Sequence, residues 1–195
     1  MWLLFKKAYP LLLLCGTALA TTACISKHKE GDILRTTDYS VAPYSIMEEV
    51  QYDYSDFWDD YYQRVYVVES PEGKTAFRGA TTMWDVEATL AGQAPMVVGD
   101  WLAVFSLGQV WIWQPGEDAI AFEPMISLES DVWRDNGLEK PMNAADYVAT
   151  GFQIKDGEWI LEYTDMFLYD ESSPEEKKHI YFVSKDQGQT FLPQP

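Results

Sequence analysis

Four times in this chain a glycine closes a short loop between two apolar runs, and no other feature restricts the fold as tightly. The loops are Pro71-Glu72-Gly73, Ser106-Leu107-Gly108, Lys155-Asp156-Gly157 and Asp186-Gln187-Gly188. A type I turn followed by glycine in the left-handed conformation closes a three-residue hairpin in this way. Glycine is required there because other residues are strained at positive φ. Short apolar runs separated by such turns, from about residue 61 onward, are the pattern of antiparallel β structure. The expected fold is all-β, with antiparallel hairpins forming a sandwich or a partial, propeller-like domain over residues 44–195.

Three-residue loops fix registers. In the first hairpin Val67 faces Phe77 and Val68 faces Ala76; in the third, Phe152 faces Ile160 and Gln153 faces Trp159. Pro115-Gly116 marks a type II turn between Trp113 and the run Ala119-Ile120-Ala121-Phe122. In the second hairpin Phe105 faces Gln109, which sorts the side chains by kind. Leu102, Val104, Val110 and Ile112 take one face, and Trp101, Ala103, Phe105, Trp111 and Trp113 the other, with Trp101 opposite Trp113. The aliphatic face is core. The aromatic face is either a second core layer, stabilised by cross-strand pairs, or a binding platform of Trp101, Trp111 and Trp113. Residues 83–92 fit a strand or a short helix, and Asn143-Ala144-Ala145-Asp146 fits one helical turn.

The first 23 residues have the layout of a cleaved signal peptide: Lys6 and Lys7, an apolar stretch from Tyr9 to Ala20, then small residues. The apolar stretch is shorter than the ~20 residues of a membrane span. Two cleavage sites compete. Ala18-Leu19-Ala20 suits ordinary signal peptidase. Thr21-Thr22-Ala23-Cys24 resembles the lipobox of bacterial lipoproteins, with Thr21 where that pattern usually has Leu. The resemblance implies a lipid on Cys24, attachment to a membrane through it, and, with Ile25 next, an outer-membrane lipoprotein facing the periplasm or the surface. Cys15 leaves with the signal, so Cys24 is the only mature thiol and no internal disulfide is possible. Residues 24–43 read as lipidated cysteine and tether.

Removing residues 1–23 takes two of 14 basic side chains and none of 31 acidic ones, leaving 12 − 31, a net −19. That balance argues against nucleic acid, whose binders neutralise phosphates with Lys and Arg. It favours a basic protein partner or a cation, and solubility accounts for it equally well. The densest acidic-aromatic run is Asp53-Tyr54-Ser55-Asp56-Phe57-Trp58-Asp59-Asp60. It lacks the spacing of a calcium loop. It is a solvated loop with aromatic anchors, or a contact patch in which Asp53, Tyr54, Asp56, Trp58, Asp59 and Asp60 meet a basic protein.

Ser184-Lys185-Asp186-Gln187-Gly188-Gln189-Thr190-Phe191 resembles the Asp box, S-x-D-x-G-x-T-[WF], at all five defined positions: Ser184, Asp186, Gly188, Thr190 and Phe191. The resemblance implies a structural device. Asp186 accepts turn amides, Gly188 takes the left-handed position and Phe191 packs beneath. Sialidases and other propellers carry the box away from their active sites. The lipoprotein-like signal, the modest all-β domain and the single box together resemble the small lipoproteins that neutralise type VI secretion lipase effectors.

Catalytic constellations are poor. His28 lies in the tether and His179 follows two lysines. No Cys/His cluster, P-loop or G-x-G-x-x-G occurs, so no metal, cofactor or catalytic residue is expected. Carboxylate pairs leave glycosidase chemistry open. The expected function is a cell-envelope protein-binding module, including an immunity protein against a secreted toxin. The alternative is a carbohydrate-binding or carbohydrate-active protein using the tryptophan face.

Overall fold

From Tyr44 to Tyr52 every second residue is buried, and those between are exposed or half-buried. This period of two places one face of a strand on the core and the other toward water. The computed structural model describes residues 28–56, 59–79, 94–165 and 179–195. These form twelve strands in three four-stranded antiparallel sheets. The first sheet contains β1 (Ile33–Val41), β2 (Tyr44–Ser55), β3 (Asp60–Ser70) and β4 (Gly73–Arg78). The second contains β5 (Met96–Val98), β6 (Trp101–Ser106), β7 (Gln109–Trp113) and β8 (Ile120–Phe122). The third contains β9 (Tyr147–Lys155), β10 (Glu158–Asp165), β11 (His179–Ser184) and β12 (Leu192–Gln194). Each strand pairs with its neighbour in the chain, and no sheet closes on itself. The domain is all-β and sandwich-like.

The second sheet is covered on both faces. Leu102, Val104, Trp111 and Trp113 pack against Tyr44, Ile46, Tyr66, Val68 and Phe77 of the first sheet. Ala103, Phe105, Val110 and Ile112 pack against Phe152, Trp159, Leu161, Tyr163 and Phe182 of the third. Two buried tyrosines tie the layers. Tyr66 donates to the Phe105 carbonyl at 2.6 Å, and Tyr163 donates to the Gly108 carbonyl at 2.9 Å.

This layering overturns the expected hairpin registers. Three of the four loops are two residues long: Ser70 pairs with Gly73, Ser106 with Gln109, and Lys155 with Glu158. At the fourth, pairing stops at Val183 and Leu192, so Asp186-Gln187-Gly188 is only part of a longer connection over residues 184–191. Val67 therefore faces Ala76, Ile160 faces Gln153 and Phe105 faces Val110. Asp156 and Gly157 both adopt positive φ, at 52° and 84°, as a type I′ turn requires. At the second loop Leu107 sits at φ 54°. That strained turn is held from outside: the Leu107 carbonyl accepts from the Ala149 amide at 2.9 Å, beside the Tyr163 bond. A one-residue slip moves every side chain to the other face. Trp101 thus lies opposite Val98, and Trp113 lies opposite Leu102. The aliphatic and aromatic sets are mixed because both faces are buried, so burial sets no penalty against mixing them.

The Pro115-Gly116 turn is present. Gly116 has φ 86°, and the Glu117 amide donates to the Gln114 carbonyl at 3.2 Å. Ala144–Asp146 forms a single 3-10 turn. Two short helices precede it, α1 (Pro124–Ser127) and α2 (Ser130–Asp135), which bury Met125 and Trp133 at the end of the core. The window 83–92, the signal segment and Cys24 lie outside the described residues.

The tether expected to reach residue 43 is corrected from Ile33 onward. Strand β1 pairs with β2 from Ile33 to Val41. It resembles a linker in composition because it is an edge strand. Thr36, Asp38 and Ser40 face water, while Arg35, Thr37, Tyr39 and Val41 are half-buried. The inward set meets a charged group. Glu48, 2% exposed, has Arg64 Nε at 3.7 Å and an Arg35 guanidinium nitrogen at 3.8 Å from its Oε1. Tyr39 donates to its Oε2 at 2.7 Å.

Burial, and then the bond to Glu48, push the Tyr39 hydroxyl from 10.0 up to about 12. A raised phenol pKa stabilises the fold while the group is protonated. That contribution is complete below pH 10.0 and is lost as pH rises through about 12. Tyr39→Phe should therefore remove one late-ionising phenol from an alkaline absorbance titration. A Tyr39→Phe curve that superimposes on wild type would contradict this assignment.

Candidate functional site

Strands β2 and β3 outrun their neighbours. On one side, pairing ends where the Tyr52 amide donates to the Asp32 carbonyl at 2.9 Å and the Tyr52 carbonyl accepts from Gly31 at 2.8 Å. On the other it ends where the Gly79 amide donates to the Arg64 carbonyl at 2.8 Å. Beyond these points, among the described residues, the hairpin continues as a two-stranded arm. Tyr52 pairs with Tyr62, Tyr54 with Tyr61 and Ser55 with Asp60.

The arm contains a β-bulge at Asp53, between the Tyr52 and Tyr54 pairings. Without it, Tyr52 and Tyr54 would share the core face. The extra residue reverses the alternation, a standard way for a bulge to re-aim a side chain. Tyr52 stays buried, whereas Tyr54 turns to the solvent face and is 49% exposed. There its ring stacks on Tyr61, with centroids 4.5 Å apart and planes at 13°.

Asp56 ties the two described ends of the turn together. Its Oδ1 accepts from the Asp59 amide at 2.9 Å, and its Oδ2 accepts from the Tyr61 hydroxyl at 2.9 Å. The Asp56 and Asp59 backbones add a bond of 3.0 Å. The bond to Asp56 raises the Tyr61 pKa. These bonds hold Asp56, Asp59 and Tyr61 in place before any partner arrives, which lowers the ordering cost of binding. Asp59 is exposed, and Asp53 and Asp60 are half-buried. Trp58 lies outside the described residues.

At the arm's base the same solvent face holds a groove of about 320 Å³ lined by Glu30, Gly31, Gln51, Tyr52, Asp53, Gln63 and Arg78. Arg78 donates to Gln63 Oε1 at 3.3 Å, and Gln63 donates to the Gly79 carbonyl at 3.1 Å. The acidic half of this surface is legible as a run in the sequence; Tyr61, Gln63 and the groove join it only through strand pairing. The even placement of Tyr54 and Tyr61 about the turn was the available signal.

The other sequence candidates separate widely. Trp111 and Trp113 are buried against Phe77, at 6.0 Å and 6.1 Å between ring centroids. Trp101 lies in the opposite core, edge-on to Trp159 at 4.7 Å. The proposed aromatic platform is thus corrected: its three tryptophans occupy two separate core layers and form no row. In the Asp-box segment, Ser184 donates to Asp186 Oδ1 at 2.6 Å, and Thr190 and Gly188 amides donate to Asp186 Oδ1 and Ser184 Oγ, each at 2.8 Å. The Ser184 hydroxyl, then the Thr190 amide, hold the Asp186 carboxyl below the usual range. Phe191 is buried edge-on to Phe122 at 4.3 Å.

His179 has a partner that its sequence position gave no hint of. Its Nδ1 lies 2.7 Å from Glu162 Oε1 and 3.4 Å from the Thr164 hydroxyl, on the outer face of the third sheet. Among the described residues no group of three or more His, Cys, Asp or Glu side chains could hold a metal ion. No family model, curated protein or solved structure matches this chain.

Proposed function

We propose that this chain is an envelope-anchored protein-binding module whose contact surface is the β2–β3 arm and whose partner is a basic protein. The observation that carries the reading is the bulge at Asp53, which turns Tyr54 out of the core and stacks it on Tyr61 beside Asp59 and Asp60. An exposed, preset aromatic pair rimmed by acids suits a protein hot spot. The acids would speed encounter and the rings would slow release. Neutralisation of a secreted toxin is the form implied by the lipobox-like signal and the Asp-box-like segment. The module would then act by stoichiometric occlusion, without turnover.

The test is affinity capture from native membranes with wild type and two variants. Asp59→Asn with Asp60→Asn and Tyr54→Ala should lose the partner, leaving the bonds from Asp56 to the residue-59 amide and Tyr61 in place. A control with Asp131→Asn and Asp135→Asn on α2, which makes the same charge change far along the chain, should keep it. Raising salt should slow association more than it speeds dissociation. Equal recovery by all three proteins would reject the arm as the site.

A further inference from the structure

We infer that the arm is built to take an arginine, in preference to a lysine, from its partner; this rests on the arm being the contact surface. Two adjoining features of one solvent face carry the inference. The first is the flat Tyr54–Tyr61 stack, with the outer ring 49% exposed. The second is the groove of about 320 Å³ next to it, where Asp53 and Glu30 supply carboxylates and Gln51 and Gln63 supply amides. That volume is at the low end of ligand sites, on the scale of one long side chain and not of a drug-sized molecule.

A guanidinium is planar, stacks on an aromatic face, and presents its N–H groups as a rigid fork that matches a carboxylate. A lysine ammonium is a strongly hydrated point charge that gains less from a flat ring. The stack and the carboxylate-lined groove therefore ask for one group that does both. A carboxylate offers about four acceptor sites, so an existing partner does not use it up. Arg78 adds a positive charge to the wall, but its guanidinium is turned to Gln63 at 3.3 Å. Glu30 and Asp53 also line the groove, so the lining carries two acids against one base. The aromatic pair does not exist without the bulge, so the recognition element and the backbone irregularity are one device.

The experiment uses the full chain purified in detergent and two fluorescent peptides, alternating glycine with arginine or glycine with lysine, titrated by anisotropy. The arginine peptide should bind about fivefold tighter, the scale of an exposed cation–aromatic contact with added fork geometry. Tyr54→Leu should bring the two peptides level. Tyr54→Phe, which keeps the ring, should keep the preference. Equal binding of both peptides to wild type, or a preference that survives Tyr54→Leu, overturns the arginine inference. If the peptides bind equally yet both weaken with Asp59→Asn and Asp60→Asn, only that inference falls. If neither peptide binds, or if neither weakens with those substitutions, the basic-partner reading falls with it.

Discussion

Glu48→Ala should destabilise the domain by about 3–5 kcal/mol, the usual cost of leaving a buried charge without its counter-ion. The group left behind is Arg64, whose side chain is only 9% exposed and whose Nε lies 3.7 Å from Glu48 Oε1. Arg35, at 34% exposure, is less affected because water reaches it. Tyr39 also loses its acceptor. Glu48→Gln keeps an acceptor for Tyr39 but removes the negative charge, so it should cost less than alanine and still more than a surface substitution. The measurement is chemical denaturation at neutral pH. A loss under about 1 kcal/mol for Glu48→Ala, the scale of an exposed pair, would mean that Arg64 is hydrated and that the cluster contributes little.

Gly188→Ala should cost roughly 2–5 kcal/mol, from two sources that can be separated. The residue has φ 86°, where an added Cβ costs about 1–2 kcal/mol. That Cβ would also lie 2.7 Å and 2.8 Å from two ring carbons of Trp159, which is 4% exposed and wedged beside Trp101 and Phe152. Overpacking of this kind adds about 1–3 kcal/mol. Gly157 is the control. It has φ 84° with nothing within 4 Å of its Cβ position, so Gly157→Ala should show the conformational part alone. Equal losses for the two variants would show that Trp159 moves aside freely.

The all-β architecture was legible because turn chemistry and alternation are local. The loops beside Gly73, Gly108 and Gly157, the Pro115-Gly116 turn and the Ala144–Asp146 turn all fall where the residues put them. What the sequence hid depends on distant partners. Leu107 accepts positive φ only because Ala149 and Tyr163, from another sheet, hold its loop. Sorting Trp111 from Ile112 by chemical kind assumed that each face carries one kind of side chain, and with both faces of the middle sheet buried nothing enforces that. Glu48 sits in the charged pair Glu48-Glu49 and looks solvated; its burial follows from Arg64 on the next strand and Arg35 on a strand that resembles a linker. For the candidate site, the acids and Tyr54 were legible as a cluster. The pairing of Tyr54 with Tyr61 was hinted at by their even placement about the turn; the bulge at Asp53 that separates Tyr52 from Tyr54 was not, because it shows only when the whole β2–β3 register is known.

The stacking of three meanders has a consequence for how cooperative the molecule is. Among the described residues every strand's hydrogen-bond partner is its neighbour in sequence, and none of the three sheets borrows a strand from another. Coupling between layers passes through side-chain packing and the ties at Phe105, Leu107 and Gly108. Such an assembly is close to one-dimensional: each layer contributes its own stability plus the terms at its interfaces. The middle layer has two interfaces and each outer layer has one. An outer layer can therefore loosen while the other pair stays docked, whereas the middle one cannot open without disturbing both neighbours. The arm belongs to an outer layer, so a partner that gripped it would act on a layer with one described interface instead of two.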